Sequence, residues 1–246
     1  VLTIIQSDRE RQFVVVSAPG KRDQYDRKIT DLLYEWYRQC ELQMSSEEIR
    51  QIIMDRYTKI VLDLGVNINM EIEFTEISQQ INKGTSADYV ASRGEYLIGK
   101  IVAAALGYEF IDPALCIHFD NHGSHDKDYE GIRSMLQGRR VVIPGFYGSL
   151  LDGSIKTFSR GGSDITGAII ARSIGASLYE NWTDVSGLLM ADPRIVQSPR
   201  KMDIVTYREL RELTYMGANV FHEEAMFPVQ KAGISTNIRN TNDPCN

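Results

Sequence analysis

The sequence predicts an α/β sandwich built around a mainly parallel sheet. Two patterns carry that expectation. Strand-like runs alternate with amphipathic helical runs along the whole chain, the order that builds a parallel sheet flanked by helices. The strand runs, such as "QFVVV" and "RRVVI", are also continuously apolar, as strands covered on both faces are. A chain of 246 residues holds one large domain or two small lobes, with ample apolar material for a core. No repeat, low-complexity tract or composition break marks a linker.

The elements follow in order. The opening "VLTIIQSDRERQ" reads as part of a helix and lacks the layout of a signal peptide. "QFVVVSAPG" is a β-branched strand that ends in turn residues. "DRKITDLLYEWYRQC" and "SSEEIRQIIMDRYTKIVLDLG" are amphipathic helices. Ser45 or Ser46 caps the second, and Glu47 and Glu48 occupy its first turn, where the helix dipole favours negative charge. A helix over 87–106 sets Leu97, Ile98, Ile101, Val102 and Ala105 on one stripe and stops at Gly107. "YEFIDP" and "RRVVIPGFYGSL" are short strands, and the second runs into a Pro and Gly turn where a sheet presents a ligand loop. A helix over 165–174, the strand "SLYENWT", a loop with "ADPR", helices near 206–217 and 219–232, and the strand "STNIRNT" complete the chain.

Composition excludes several classes of partner. The chain has 27 basic and 33 acidic residues, a net charge of −6, which is no footprint for nucleic acid or an anionic membrane. No apolar run reaches the roughly 18 to 20 residues of a membrane span. Small ligands and a cytoplasmic setting are expected. Cys40, Cys116 and Cys245 form no CxxC pair and read as ordinary thiols of a reducing compartment. No metal ligand is assigned: "HFDNHGSHDKD" gathers three His among Asp in a Gly and Asn turn, which reads as a solvated loop. "SAPGKRD" lacks the first Gly and the Ser or Thr of a P-loop, and "HEEAM" has half of HExxH.

Two loops concentrate chemistry. "SRGGSDIT" sets Gly161 and Gly162 between Arg160 and the Ser163, Asp164 pair at the mouth of a helix. One reading is a tight glycine turn with Ser163 or Asp164 as N-cap. The other is an anion seat: bare backbone allows close approach, the helix start offers free N–H groups, and Arg160 grips a carboxylate in two places. Asp164 repels a simple anion, but an amino acid satisfies both charges, with Arg160 on its carboxylate and Asp164 and Glu95 facing its ammonium or a neighbouring Lys. "WTDVSGLLMADPR" is either a pair of turns or a nucleotide loop, with Thr183, Asp184, Asp192 and Arg194 beyond a strand end.

The order and spacing of these stretches are more specific than either alone. "KTFSRGGSDITGA", "ENWTDVSGLLMADPR" and "ELTYMGANVFHEEAMFPVQKAGISTNIRNTNDP", preceded by "VVVSAPGKRDQYDRKITDLL" and "SRGEYLIGKIVAAALG", resemble the catalytic domain of aspartokinases in the amino acid kinase family. The resemblance spans essentially the whole chain. It implies a three-layer α/β/α sandwich with a carbamate kinase-like fold. It further implies an aspartate lobe over about 1–160, a nucleotide lobe over about 161–246, and ATP with Mg²⁺ as the phosphoryl source. Substrate contacts then fall on Ser17, Thr30, Glu95, Arg160, Gly161, Gly162, Ser163 and Asp164, of which Arg160 and Asp164 are the catalytic pair. Nucleotide contacts fall on Thr183, Asp184, Asp192, Pro193 and Arg194. Members of the family usually open with a Lys, Phe, Gly, Gly strand, continue into tandem ACT domains and form oligomers. None of those segments occurs in "VLTIIQ" to "NDPCN", so the chain is expected to be a fragment that turns over poorly. Ser159, Leu189 and Asn242 stand where many members have Gly, Tyr and Lys. Alternative readings are a kinase of glutamate, acetylglutamate or a nucleoside monophosphate, and a binding module of the same fold without turnover.

Overall fold

The computed structural model describes residues 1–120, 123–125, 127–159, 161–184, 187–190, 196, 197, 199–215 and 223–244. The chain runs α1 (Leu2–Gln6), β1 (Phe13–Val16), α2 (Ile29–Glu41), α3 (Glu47–Leu64), α4 (Met70–Asn82), α5 (Ala87–Leu106) and β2 (Glu109–Phe110). After a 3-10 turn at Pro113–Leu115 come β3 (His118–Phe119), α6 (Tyr129–Leu136), β4 (Val141–Pro144), β5 (Tyr147–Leu150) and β6 (Ile155–Thr157). The remainder is α7 (Gly162–Ile174), β7 (Leu178–Thr183), β8 (Leu188–Leu189), β9 (Lys201–Met202), α8 (Tyr207–Tyr215), α9 (Glu223–Ala232) and β10 (Ser235–Asn240).

Parallel pairing dominates, as the apolar strand runs require. β4 lies between β1 and β2, parallel to both, and β7 pairs in parallel with β10. β5 pairs in parallel with β3 and antiparallel with β6, and β8 and β9 form a short antiparallel ribbon. Successive strand side chains point to opposite faces, and here each face meets a helix. Val14, Val16 and Val142 pack with Val102 and Ala103 of α5. Their neighbours Phe13, Val15, Val141 and Ile143 pack with Ile165, Ala168 and Ile169 of α7. Helix, sheet and helix therefore form three layers. A separate helical core joins α2, α3, α4 and α5 around Trp36, Tyr57 and Phe74, with Trp36 stacked on Phe74 at 6.0 Å.

Helix ends obey local chemistry. Ser86 Oγ accepts from Tyr89 N at the start of α5, and Gly107, at φ +68°, closes it in a left-handed conformation that suits glycine. Helix α4 starts at Asn69, whose side chain accepts from the amides of Glu71 and Ile72. Salt bridges tie the start of β1 to β7: Glu180 accepts from Arg11 at 2.6 Å and from Arg239 at 2.9 Å, and both guanidinium groups lie over Trp182. Burial raises the Glu180 carboxyl, but the two arginines outweigh it and hold the group below its usual range.

Several sequence expectations meet corrections here. Helix α7 begins at Gly162 rather than near 165, because Gly161 is its N-cap. The chain also contains helices α4 and α6 where no element was assigned. In "HFDNHGSHDKD", His118 and Phe119 form a strand, and Phe119 bridges to His125; Asn121, His122 and Asp126 lie outside the described residues. Among the described residues no three His, Cys, Asp or Glu side chains gather into a metal-binding group, and no helix is long and apolar enough to cross a membrane. Cys40 and Cys116 are free thiols, the latter buried and pushed up to about 12 by that burial.

Candidate active site

The site lies where β1 and β4 end and α7 begins. The amide of Gly145 donates to Val16 O at 2.8 Å, so the corner after β4 is fastened to the end of β1. That corner interlocks with the helix start. A Cβ on Gly145 would stand 2.5 Å from Ser163 Oγ, and one on Gly162 would stand 2.8 Å from the Cα of Phe146. Gly161 adopts φ +57°, which glycine tolerates best, and its carbonyl accepts from the amide of Ile165 at 2.9 Å. The two glycines thus have different tasks: one turns the chain, the other admits the corner. Ser163 and Asp164 consequently sit in the first turn of α7 rather than capping it, and the N-cap makes no side-chain bond. An N-terminus in this state offers amide N–H groups to a ligand.

Glu95 approaches the same mouth from α5. Its neighbour Gly94 lets the loop after β1 close down, since a Cβ there would stand 3.0 Å from Ala18 Cβ and 3.3 Å from Ile29 Cγ2. The Gly94 carbonyl accepts from the buried Tyr57 hydroxyl at 2.8 Å. Glu95 itself is 5% exposed. Its Oε1 accepts from the amide of Ala18 at 3.1 Å, whereas Oε2 is buried with no hydrogen-bond partner among the described residues. Burial pushes this carboxyl up to about 7, against the pull of the Ala18 amide, its own amide and the Arg93 guanidinium. A buried carboxylate oxygen without a donor is costly unless a ligand supplies one.

Ser17 is exposed beside Ala18, and Thr30 is half-buried on the first turn of α2 next to Ile29. The contacts of Ala18 with Glu95, of Ile29 with Gly94 and of Gly145 with Val16 and Ser163 link the backbone segments that carry Ser17, Thr30, Glu95 and Ser163. The loop between Ser17 and Thr30 is pinned from behind. Arg56 of α3, 6% exposed, donates to the carbonyls of Gly20 and Arg27 and pairs with Asp26 at 3.2 Å.

Asp164 faces the second half of the chain. Its Oδ1 accepts from Asn181 Nδ2 at 2.8 Å, and its carbonyl accepts from the Tyr179 hydroxyl at 3.2 Å. The buried Asn181 thereby couples the first turn of α7 to β7, the strand that ends in Thr183 and Asp184. Thr183 Oγ1 lies 3.2 Å from Asp184 Oδ1, and its carbonyl accepts from both the amide and the hydroxyl of Thr241 at 2.8 Å. Arg160, Asp192, Pro193 and Arg194 lie outside the described residues. Asn181 and Tyr179 contact the candidate residue Asp164 although the sequence did not single them out, whereas Gly145 belongs to the Pro and Gly turn that the sequence marked as a ligand loop. An Asn in the middle of an otherwise strand-like "LYENWT" was the available signal, since a buried amide needs partners.

Residues 1–240 match the profile of the amino acid kinase family. The chain belongs to that family. Aspartokinase 3 of Bacillus subtilis is 38% identical to it over 261 residues, covering 99% of this chain and 58% of the relative. The crystal structure of Clostridium acetobutylicum aspartate kinase is 49% identical with a TM-score of 0.92, over 99% of this chain and 56% of that one. Escherichia coli aspartokinase III in complex with aspartate and ADP shares the fold at 24% identity and a TM-score of 0.74, again over 99% of this chain and 58% of that one. The chain thus spans a little over half the length of these kinases. Its amino acid kinase fold places the carboxyl ends of β1 and β4 against the N-terminus of α7, the crevice where open α/β sheets bind ligands.

Proposed function

We propose that this chain is the catalytic region of an aspartokinase, which moves the terminal phosphoryl group of ATP to the side-chain carboxylate of L-aspartate and gives 4-phospho-L-aspartate. The observation that carries this reading is Glu95, a buried carboxyl with one oxygen held by Ala18 N and the other without a donor, at the mouth of a helix N-terminus. An ammonium supplies the missing donor to Oε2, and the amides at the start of α7 accept negative charge. The likeness to bacterial aspartokinases at 38% and 49% identity supports aspartate as the amino acid.

The chemistry asks for position and positive charge rather than acid–base assistance. An aspartate side chain with a pKa near 3.9 is already ionised at pH 7, so the nucleophile needs no base. The barrier is the approach of an anion to a polyanion, which alignment and electrostatic preorganisation lower. Glu95 orients the ammonium, and Arg160 holds a substrate carboxylate. The first turn of α7 receives charge, and Asp164, fixed by Asn181, keeps that turn in register with the β7 end. Thr183 and Asp184, with Asp192, Pro193 and Arg194, form the nucleotide side. Mg²⁺, which keeps several waters and binds through phosphates with one or two carboxylates, would be held by the ATP phosphates with Asp164 or Asp184 and would supply positive charge to the transferring phosphoryl group. Within this reading the setting is cytoplasmic, and the longer protein is a homo-oligomer.

The test is acyl phosphate formation trapped by hydroxylamine, measured in the longest form of the protein that contains this chain. Aspartyl hydroxamate formation that depends on ATP and exceeds that from glutamate supports the assignment. A protein that is inactive with aspartate, or prefers glutamate, contradicts it.

A further inference from the structure

A second cavity, of about 520 Å³, opens on another side of α5. Its wall is formed by Thr85, Ser86 and Tyr89 at the start of that helix, by Arg93, by Asp112 after β2, and by Ser154 in the turn between β5 and β6. Arg93 and Glu95 are two positions apart on the helix, a spacing that puts side chains on different faces. Glu95 turns to the loop after β1, whereas Arg93 turns to Tyr147 of β5, so the two sites are distinct.

Arg93 is an unusual residue to find there. It is 5% exposed, and its guanidinium lies over the rings of Tyr89 at 4.4 Å, Tyr96 at 4.2 Å and Tyr147 at 5.5 Å. Its hydrogen bonds to described residues go to neutral acceptors: Nε to the Tyr89 carbonyl at 3.3 Å, and Nε and Nη2 to Ser92 Oγ at 3.2 and 2.9 Å. No carboxylate of a described residue lies within 4.0 Å, and Nη1 makes no hydrogen bond to a described residue. Stacking on aromatic faces fixes the plane of a guanidinium and leaves its N–H edge for a bidentate anion. Asp112 supplies the opposite charge in the same cavity. One of its oxygens caps the 3-10 turn by accepting from the amide of Ala114 at 3.0 Å.

Arg93 is a buried cation that is stacked but has no ion partner among the described residues, and the half-buried Asp112 carboxylate lines the same cavity. One small molecule that carries both complementary charges can engage both. We propose that this cavity is a binding site for a small zwitterion of the α-amino acid class, its carboxylate on Arg93 and its ammonium on Asp112. The site stands whether or not the chain phosphorylates aspartate, because none of its wall residues belongs to the candidate active site.

The test follows the ring resonances of Tyr89, Tyr96 and Tyr147 by NMR in the 246-residue chain with labelled tyrosine, titrated with glycine, acetate or methylammonium. Glycine is expected to shift these rings saturably, and at least about tenfold more tightly than acetate or methylammonium alone, since two charge-assisted contacts act together. Arg93→Met should weaken glycine binding at least about tenfold. Asp112→Asn, which retains an oxygen for the Ala114 amide, should bring glycine down to the affinity of acetate and leave acetate unchanged. Glu95→Gln should leave the glycine shifts intact, which separates this cavity from the active site. If Arg93→Met fails to fold, as judged by its thermal melt, Asp112→Asn still decides. Rings that do not respond to glycine, or a glycine affinity that survives Asp112→Asn, would overturn the proposal.

Discussion

Replacing Glu95 by Gln should change how the stability of the chain depends on pH. Burial raises this carboxyl to about 7 in the folded chain, against an ordinary value of 4.5. Below about pH 4.5 the folded and unfolded chains both carry the proton, and no difference arises. As the pH climbs towards 7 the unfolded chain loses its proton first, so the folded state becomes less favoured; above about 7 both are ionised and the loss is complete. The gap between the two values corresponds to about 3 kcal/mol, a large share of the roughly 5 to 15 kcal/mol that holds a typical domain folded. Gln does not titrate. It keeps an oxygen for the Ala18 amide but sets an unpaired NH₂ where Oε2 stood, at a cost of about 1 to 3 kcal/mol. The wild-type chain should therefore be the more stable of the two at pH 5 and lose that lead by pH 8. Urea unfolding at both pH values measures the change in the difference, expected to be about 2.5 kcal/mol because part of the loss has already occurred by pH 5. Parallel pH dependences in the two proteins would show that Glu95 does not enter the folded state as a buried acid, and the ammonium seat would lose its basis.

Three further outcomes follow from the same geometry. Binding of L-aspartate at pH 6 should release up to about one proton, because an ammonium at Oε2 favours the ionised carboxylate; calorimetry in buffers of different ionisation enthalpy reads this directly, and no release contradicts it. Gly162→Ala forces a Cβ to 2.8 Å from the Phe146 Cα, so a loss of about 1 to 3 kcal/mol in stability is expected together with weakened aspartate use; an unchanged melting temperature would refute the interlock. Arg160→Ala should chiefly raise the KM for aspartate, whereas Asp184→Ala and Arg194→Ala should chiefly raise that for ATP. If both sets move the same constant, the division into two lobes is wrong.

Much of the architecture was legible because burial on both faces writes itself into the sequence. β1 and β4 appear as unbroken β-branched runs, and α5 announces both ends through Ser86 and Gly107. Helix α4 also carried its signal, with Asn69 as cap and Met70, Phe74, Ile77 and Ile81 at helical spacing, but Glu71, Glu73 and Glu76 interleave with them and dilute the pattern. The two-residue strands β2, β3, β8 and β9 had no such signature, since partners across the sheet rather than local preference create them. At the site, the helix mouth after "SRGG" could be read, yet the separate tasks of Gly161 and Gly162 could not. They depend on Phe146 and Gly145, which stand more than a dozen residues upstream. The burial of Glu95 was equally hidden, because glutamate is rarely buried and only the fold closes the loop at Ala18 over it.

A crystal structure of the chain grown with L-aspartate examines the central claim most directly. The ammonium nitrogen should lie within about 3 Å of Glu95 Oε2, with the side-chain carboxylate of the ligand turned towards the start of α7. Solvent alone beside Oε2, or an aspartate bound with its ammonium elsewhere, would contradict it.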